Sequence, residues 1–348
     1  MAGARGWRRR SAAVLLAGVI ASPTPAVGRT GLCASAAAGA ESRVVVLSAF
    51  PAELAPLVAA AQVEMTVEAE GRRYYLGRLE GVRVVLGLTG IGIVNATSRA
   101  ASVIRSFEPA GVIMSGVAGS RYRIGDVVVA ARWLEQSNGH VTRVNPAMLQ
   151  LAQRAAMTLP APFQTCTHIP PTSPDGETVC LPYSPVIVFG HRGQSGDPFA
   201  GKPFPCTPGG GEIFGCELPE ASALSPHVTT LLTALTNAEI QDMETAAVAR
   251  AAARHRVPFV AMRAVSDGAG DPLGDRGFPA QFFDYYRLAA ENAALVTRAF
   301  LAELSRLAGD PSSRRICRLL AHRHWRRAAA RLRATSRMDA SAKTARPA

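Results

Sequence analysis

The 348 residues correspond to roughly two average domains or one large α/β domain, and a chain that is 48% hydrophobic and 18% charged can bury a core, which excludes an extended disordered polymer. The net charge of +12 is concentrated at the ends, because residues 1–40 hold five Arg and no acid, and residues 313–348 hold eleven Lys or Arg and one Asp. The remaining body, residues 41–312, is mildly acidic, which argues against a basic nucleic-acid-binding domain, and we expect no nucleic-acid partner.

An export signal is predicted over residues 1–36. Arg5 and the run Arg8–Arg10 form a positive segment, the apolar stretch Ser11–Ile20 follows, and small residues and prolines come next. This order is typical of a cleaved signal peptide. The apolar stretch is short for a membrane anchor, so we favour cleavage. We therefore expect a secreted or periplasmic protein.

Short apolar runs alternate with helical patterns in the first half of the body, which is typical of an α/β layer fold. The sequence predicts strands at 43–47, 74–79, 82–88, 111–115 and 126–131, and helices at 93–107 and 146–157.

Residues 159–220 form a long break rich in Pro, Gly and Cys, which we interpret as a loop insertion, since a structureless loop of this length is unusual in a compact domain. In an oxidising compartment its four cysteines predict two disulfides, with three connectivities open. These cysteines are Cys166, Cys180, Cys206 and Cys216. A zinc site is less favoured because they form no Cys-x-x-Cys pair, and we expect no metal site.

The second half continues the alternation, which predicts a three-layer α/β/α domain over residues 43–310 with a central mixed, mainly parallel sheet. Its expected elements are a helix at 228–235, a strand at 239–243, a helix at 245–256, a strand at 259–265 and a long helix at 279–307. The basic tail, 313–348, is interpreted as a solvated extension. A basic amphipathic helix that contacts a membrane surface is the less favoured alternative.

Polar and Gly-rich segments follow the predicted strand ends, where ligands bind in open α/β sheets. They are Ser48–Leu54, Thr89–Gly92, Gly116–Gly119, Gln241–Val248 and Arg263–Asp267. Taken singly, each segment is equally consistent with a helix cap, a tight turn or a structural ion pair. Their order along the chain carries more information than any one of them.

The ordered set resembles the nucleoside phosphorylase/nucleosidase superfamily, most closely the 5′-methylthioadenosine/S-adenosylhomocysteine nucleosidases. The motifs that carry the likeness are Ala49-x-x-x-Glu53, Thr89-Gly-Ile-Gly92, Ser115-Gly-x-Ala-Gly119, Met243-Glu244 and Arg263-Ala-x-Ser-Asp267. The resemblance covers about residues 43–135 and 238–305. It implies a nucleoside phosphorylase-like fold, a small-molecule purine nucleoside as substrate, a homo-oligomer and no cofactor.

The resemblance also implies roles for individual residues. Asp267 would protonate the purine at N7, and Glu53 would activate the attacking water, a division of labour that glycosidic hydrolysis by two carboxyl groups requires. Glu244 would accept hydrogen bonds from two ribose hydroxyls. The complete substrate-binding set that the resemblance implies is Thr89, Gly90, Gly116, Met243, Glu244, Arg263 and Ser266.

Water is favoured over phosphate as the nucleophile because the segment after the first strand carries Glu53 and no Arg. A phosphate-dependent purine nucleoside phosphorylase and a non-catalytic nucleoside-binding protein of the same fold are the alternatives. The chain departs from the nucleosidases at Asp242, where they usually have Glu. We assign no stretch to their Ser-Gly-Asp-x-Phe-like segment, whose Phe stacks on the base, and Phe214 is the candidate for that stacking role.

Overall fold

The computed structural model describes residues 43–171, 175–219, 239–275 and 277–309. The predicted export signal, the helix at 228–235 and the basic tail lie outside them. The strands are β1 Val44–Ser48, β2 Gln62–Ala69, β3 Arg72–Leu79, β4 Val82–Leu88, β5 Gly111–Arg123, β6 Val127–Glu135, β7 His140–Arg143, β8 Cys166–Ile169, β9 Glu177–Cys180, β10 Ile187–Ser195, β11 Ile240–Asp242 and β12 Phe259–Ala269. The helices are α1 Pro51–Ala60, α2 Ile93–Phe107, α3 Pro146–Ala155, α4 Gly211–Phe214, α5 Thr245–Arg254 and α6 Ala280–Gly309.

A mixed ten-stranded sheet runs through the domain in the order β11-β10-β6-β12-β5-β1-β4-β3-β2, with β7 paired to β6. The pairings of β1 with β4 and β5, of β12 with β5, and of β10 with β6 and β11 are parallel. Antiparallel pairings add β2 and β3 at one edge. Strand β11 also pairs with β5, so that β5, β12, β6, β10 and β11 close on themselves.

Helices cover both faces of this sheet, which confirms the predicted three-layer α/β/α fold. Helices α1 and α3 pack on α6, while α2 packs on α5. The central strand β1 is buried along its whole length, because its run Val-Val-Val-Leu-Ser lies between the two helical layers. Parallel strands of this kind place their carboxyl ends, and the polar residues that follow, at one edge of the sheet.

Five strands are absent from the sequence-based prediction, namely β2, β10 and the short strands β7, β8 and β9. β2 is mostly exposed at the sheet edge, so its sequence shows no buried apolar run. β10 lies inside residues 159–220, which are therefore not wholly a loop insertion: this strand is part of the central sheet. Its glycines obscure the strand pattern, and one of them, Gly193, is needed because a Cβ there would lie 2.6 Å from the Trp133 ring.

The four cysteines of this region form two local disulfides. Cys166 pairs with Cys180 across the hairpin of β8 and β9, and Cys206 pairs with Cys216 around the single-turn helix α4. This selects one of the three connectivities that the sequence leaves open. Within the described ranges, the structure has no helix that is both long and apolar enough to cross a membrane.

Candidate active site

Glu53 lies in the first turn of α1, directly after β1, and its carboxylate is buried. The backbone amides of Ala49 and Val117 each donate to it at 2.6 Å. A Cβ at Gly116 would lie 2.2 Å from the same carboxylate, so only glycine fits there. The end of β1 and the middle of β5 thus supply two amide donors, which we call the amide cradle, and the Glu53 carboxylate occupies it.

Arg263, in the middle of β12, is 1% exposed and faces three carboxylates. Its Nε lies 3.0 Å from Asp242 Oδ2, its Nη2 lies 3.5 Å from Glu244 Oε2, and its Nη1 lies 3.6 Å from Glu53 Oε1. One guanidinium cannot neutralise three carboxylates. The buried cluster therefore carries excess negative charge whenever more than one of the acids is ionised.

This crowding of acids shifts their protonation. Burial raises the pKa of Glu53, and Asp242 raises it further, while Arg263 and two backbone amides oppose the shift. Burial and the charges of Asp242 and Glu53 raise the pKa of Glu244 to about 8, against the opposing effect of Arg263. The direction of this shift favours the protonated form of Glu244.

Asp242 and Glu244 are separated by one residue and share Arg263, but they accept from different backbone amides. Asp242 Oδ1 accepts from the amides of Glu244 and Thr245 at 3.2 and 3.1 Å, so it caps α5 while it also contacts Arg263. Glu244 Oε1 accepts from the amide of Gly92 at 2.7 Å. This contact connects the start of α2 to the start of α5. The backbone of Gly92 has a φ of 95° there, a conformation that favours glycine.

Asp267 lies where β12 bulges against β5, since Val265 pairs with Ala118 and Asp267 with Gly119, which leaves Ser266 as the extra residue. A Cβ at Gly119 would lie 2.4 Å from Asp267 Oδ2. Burial raises the pKa of Asp267, and the Ser266 hydroxyl, which donates to Oδ1 at 2.7 Å, partly opposes this. The carboxyl group is thereby biased toward its neutral form, which a general acid needs.

Two of the three predicted acids pack on the middle of β5, and the third shares the contact with Arg263. Glu53 packs on Gly116, and Asp267 packs on Gly119, three residues further along the strand, which is about 10 Å. Glu53 and Glu244 both face Arg263. Residues that are more than 200 positions apart in sequence are therefore brought to one place by the register of β5, β11 and β12.

The other predicted binding residues surround this cluster. Thr89 is buried at the end of β4, where its hydroxyl donates to the carbonyl oxygens of Ser48 and Gly90. Gly90 has a φ of 77° and begins the turn into α2. Met243 is half-buried between the two acids of β11 and α5. Their contact with a substrate stays a prediction.

An aromatic residue that the sequence interpretation misses, Phe199, lies beside the candidate site. Phe199 follows β10, and a Cβ at Gly92 would lie 2.9 Å from its ring. The stretch Ser195-Gly-Asp-Pro-Phe199 matches the Ser-Gly-Asp-x-Phe-like pattern, but its place inside the presumed insertion hides it. Phe214 lies further out, because Phe204 stands between it and Phe199. The stacking candidate is therefore Phe199.

A family model described as the phosphorylase superfamily matches residues 43–179 and 206–302. The chain belongs to this superfamily. The residues between the two matched stretches contain β10 and Phe199. Across the described parts of the chain, the superfamily member shows no group of three or more His, Cys, Asp or Glu placed to hold a metal ion.

Individual proteins support the membership. A Mycobacterium tuberculosis protein of uncharacterised function is 37% identical over 190 residues, which covers 50% of this chain and 76% of that protein. A 5′-methylthioadenosine/S-adenosylhomocysteine nucleosidase of a Shewanella species is 25% identical over 276 residues, covering 78% and 99%.

Solved structures show the same fold. The Neisseria meningitidis 5′-methylthioadenosine/S-adenosylhomocysteine nucleosidase is 23% identical with a TM-score of 0.52, and the two chains are covered to 75% here and 99% there. Futalosine hydrolase of Helicobacter pylori is 18% identical with a TM-score of 0.51, at 76% and 98% coverage. At these identities the likeness establishes the fold.

Proposed function

We propose that this chain is a purine nucleosidase that hydrolyses the N-glycosidic bond and releases the free base. The substrate class is 5′-methylthioadenosine, S-adenosylhomocysteine or a related purine nucleoside. Support comes from the nucleosidases among its relatives and from the three converging acids. The likeness of the fold to a futalosine hydrolase is consistent with the same reaction class.

The observation that carries the proposal is the filled amide cradle. A phosphorylase must bind phosphate, and backbone amides at strand ends together with arginines are the groups that bind such an anion. Here the amides of Ala49 and Val117 both donate to Glu53. The buried Arg263 already faces three carboxylates. The carboxylates around Arg263 would repel a phosphate dianion here, whereas a water molecule could donate a proton to Glu53.

Glu53 is the base in this mechanism. Its raised pKa makes it a better proton acceptor than an ordinary carboxylate, and the two backbone amides fix its orientation. The attacking water would lie between Glu53 and the anomeric carbon. As the glycosidic bond breaks, the sugar gains positive charge, which the excess negative charge of the cluster around Arg263 stabilises.

Asp267 and Glu244 act on the other parts of the nucleoside. Burial raises the pKa of Asp267, which favours its neutral form, and in this mechanism Asp267 donates its proton to N7 of the departing purine. Glu244 would accept hydrogen bonds from two ribose hydroxyls through its two carboxyl oxygens. Phe199 would stack on the base, since it lies against Gly92 beside Glu244.

Export and oligomerisation belong to the same proposal. Two disulfides are compatible with an oxidising compartment, so we propose that the mature protein is secreted or periplasmic. The homo-oligomer that the family resemblance implies remains a prediction. Size-exclusion chromatography with light scattering on the purified protein measures it directly.

A nucleoside panel tests the reaction. Protein that lacks residues 1–36 is incubated with 5′-methylthioadenosine, S-adenosylhomocysteine, adenosine and inosine, with and without inorganic phosphate, and free base is measured by chromatography. We expect base release that does not depend on phosphate. Release that requires phosphate, with the sugar phosphate as co-product, would establish a phosphorylase instead.

Glu53→Gln provides the residue-level test of the same proposal. We expect kcat to fall by at least about 100-fold, because the amide cannot accept a proton from water. Glu64→Gln is the matched control, since Glu64 is exposed on β2 and pairs only with Arg78 at 3.5 Å. Calorimetry with adenine checks that the variant still binds. Wild-type turnover in Glu53→Gln would remove Glu53 from the mechanism.

A further inference from the structure

A covalently closed loop lies beside the candidate site. The Cys206–Cys216 disulfide closes it, and we call residues 206–216 the stapled loop. It contains the single-turn helix α4. Within it, the amide of Thr207 donates to the carbonyl oxygen of Phe214 at 2.8 Å. A one-turn helix is far below the length at which helices are stable alone, so other contacts must hold this loop in shape.

Two elements of the main domain anchor the stapled loop. Its one acidic residue, Glu212, accepts from Arg287 of α6, with Nε at 3.0 Å from both carboxylate oxygens and Nη2 at 2.7 Å from one. The Tyr286 hydroxyl donates to the same carboxylate. From β3, Arg72 Nη1 lies 3.0 Å from Cys206 Sγ and 3.4 Å from the Cys216 carbonyl oxygen. The loop therefore bridges β3 and α6.

A row of phenyl rings connects the stapled loop to the site. The ring of Phe214 lies 6.2 Å from that of Phe204, which lies 4.8 Å from that of Phe199. Phe199 in turn covers Gly92. The Asn95 side chain, at the start of α2, donates to the Phe204 carbonyl oxygen at 2.6 Å. All three rings are half-buried, so each keeps an exposed part.

We propose that the stapled loop is a wall of the nucleoside pocket, and that its disulfide positions the phenyl row and thereby sets the affinity for the aromatic base. This inference rests on the proposed function. It assigns no such part to the second disulfide, Cys166–Cys180, because that bond crosses the β8–β9 hairpin, which contacts α6 through β8. The Cys206–Cys216 bond is thus a positioning element for Phe199.

The physical reason is that the rings support one another rather than inserting into a packed core. Opening the disulfide restores chain entropy to the loop and lets α4 unravel. Phe204 then loses its neighbour Phe214, and Phe199 loses Phe204. Stacking on an aromatic base depends on ring orientation, so binding weakens while the acids that perform the chemistry stay in place.

Paired serine variants test this inference. Cys206→Ser/Cys216→Ser removes the stapled bond, and Cys166→Ser/Cys180→Ser removes the other bond with the same chemical change. We expect the first variant to raise KM for the nucleoside and the Kd for free adenine about tenfold, with kcat changed less than about threefold. We expect the second to lower Tm without changing KM or Kd. An unchanged Kd in the first variant, or equal increases in both, would overturn the proposal.

Two further measurements keep the test decisive if the first variant does not fold. In the Cys166→Ser/Cys180→Ser background, a dithiol reductant opens the remaining Cys206–Cys216 bond, and the adenine Kd should rise about tenfold. Glu212→Gln weakens the anchor to Arg287 with the disulfide intact and should raise Kd in the same direction. If the adenine Kd stays unchanged in either measurement, the proposal that the stapled loop is a wall of the pocket is contradicted.

The outcome separates this inference from the proposed function. A wild-type protein that binds adenine more tightly than the variants but releases no base would disprove the nucleosidase and leave the wall intact. A wild-type protein that hydrolyses nucleosides, with variants of unchanged KM and Kd, would disprove the wall alone.

Discussion

At the scale of single residues, the site depends on where protons reside. Arg263 is surrounded by acids, and although burial lowers the pKa of its guanidinium, the charges of Asp242, Glu53 and Glu244 together hold that pKa above its usual value. Asp267 lies outside this cluster, and the charges of the cluster are not among the causes that raise its pKa. Glu53, the proposed base, therefore lies among other charged groups, whereas the pKa of Asp267, the proposed acid, is raised mainly by burial. Such a difference in environment allows a base and an acid to act at the same pH.

Asp267→Asn should separate leaving-group protonation from the rest of the reaction. We expect at least about a 100-fold loss of kcat on 5′-methylthioadenosine, because the amide supplies no proton to N7. On 4-nitrophenyl riboside, whose leaving group needs no protonation, the loss should stay below about fivefold. Asp175→Asn, at an exposed position, is the matched control. Equal losses on both substrates would mean that Asp267 only maintains the structure.

Glu244→Gln should change how stability depends on pH. The pKa of Glu244 is about 8 in the folded chain and near 4.5 when unfolded, so between these values the folded state holds a proton that the unfolded state has lost. The free energy of unfolding therefore falls as pH rises from about 4.5 to 8. Removing the group should raise Tm at pH 8 by roughly 5 °C and leave it unchanged at pH 4.5.

Calorimetric or fluorescence melting curves across this pH range measure the effect. Glu68→Gln, on the exposed edge strand β2, provides the control. If the wild-type and Glu244→Gln curves run parallel from pH 4.5 to 8, Glu244 does not hold the proton assigned to it.

Sequence reasoning could name candidate acids because their order along the chain is distinctive, but it could not give their partners. The contacts of Arg263 with Glu53 and Asp242 arise from strand register, which no local pattern encodes. Asp242 illustrates the limit, since it departs from the family residue yet both caps α5 and pairs with Arg263. The hydroxyl of Ser266 donates to Asp267 in the structure, a partner that the sequence did not indicate, and its contact with substrate stays a prediction.

At the scale of elements, α6 supports the acid as well as the core. Gln281, in its first turn, is 3% exposed. Its Oε1 accepts from the Gly268 amide at 2.8 Å, and its Nε2 donates to the Asp275 carbonyl oxygen at 2.8 Å and to Asp271 Oδ2 at 3.3 Å. One side chain thus fixes the loop that follows Asp267. The orientation of the Asp267 carboxyl group therefore depends on the position of α6.

Gln281→Ala should act through Asp267, and a double-mutant cycle can show this. We expect a roughly tenfold loss of kcat in the single variant, with a shift in the pH profile of kcat, because the loop no longer holds the carboxyl group in place. In an Asp267→Asn background the same change should cost almost nothing further. If the loss of kcat in the double variant equals the product of the losses in the two single variants, Gln281 contributes only to general stability.

The elements that the sequence predicts well are those with continuous apolar runs or clear helical periodicity. Helix α2 lies at residues 93–107 as predicted, and β12 extends the predicted strand at its end. β2 and β10 are missed because one is exposed at an edge and the other carries glycines in a Cys-rich and Pro-rich stretch. Missing β10 also hid Phe199, so an error about an element became an error about the site.

At the scale of the whole molecule, charge and catalysis occupy different parts of the chain. Every residue placed in the candidate site lies between Ser48 and Gln281. The body that contains them is mildly acidic, while residues 313–348 carry eleven Lys or Arg and one Asp. A neutral nucleoside gains little from long-range attraction by such a tail, and at physiological ionic strength charges are screened beyond about 8 Å.

Deleting residues 313–348 should therefore leave the reaction intact. We expect kcat and KM for 5′-methylthioadenosine to stay within about twofold of the full chain at 0.15 M salt, measured side by side on both proteins with Tm as a check of folding. A loss of more than about tenfold in kcat/KM with unchanged Tm would place part of the tail in the pocket. Because screening weakens at low ionic strength, repeating the comparison at 0.01 M salt distinguishes a tail that touches the substrate from one that acts only through its field. A tail in direct contact would reduce kcat/KM at both salt concentrations when deleted, and a purely electrostatic one only at the lower.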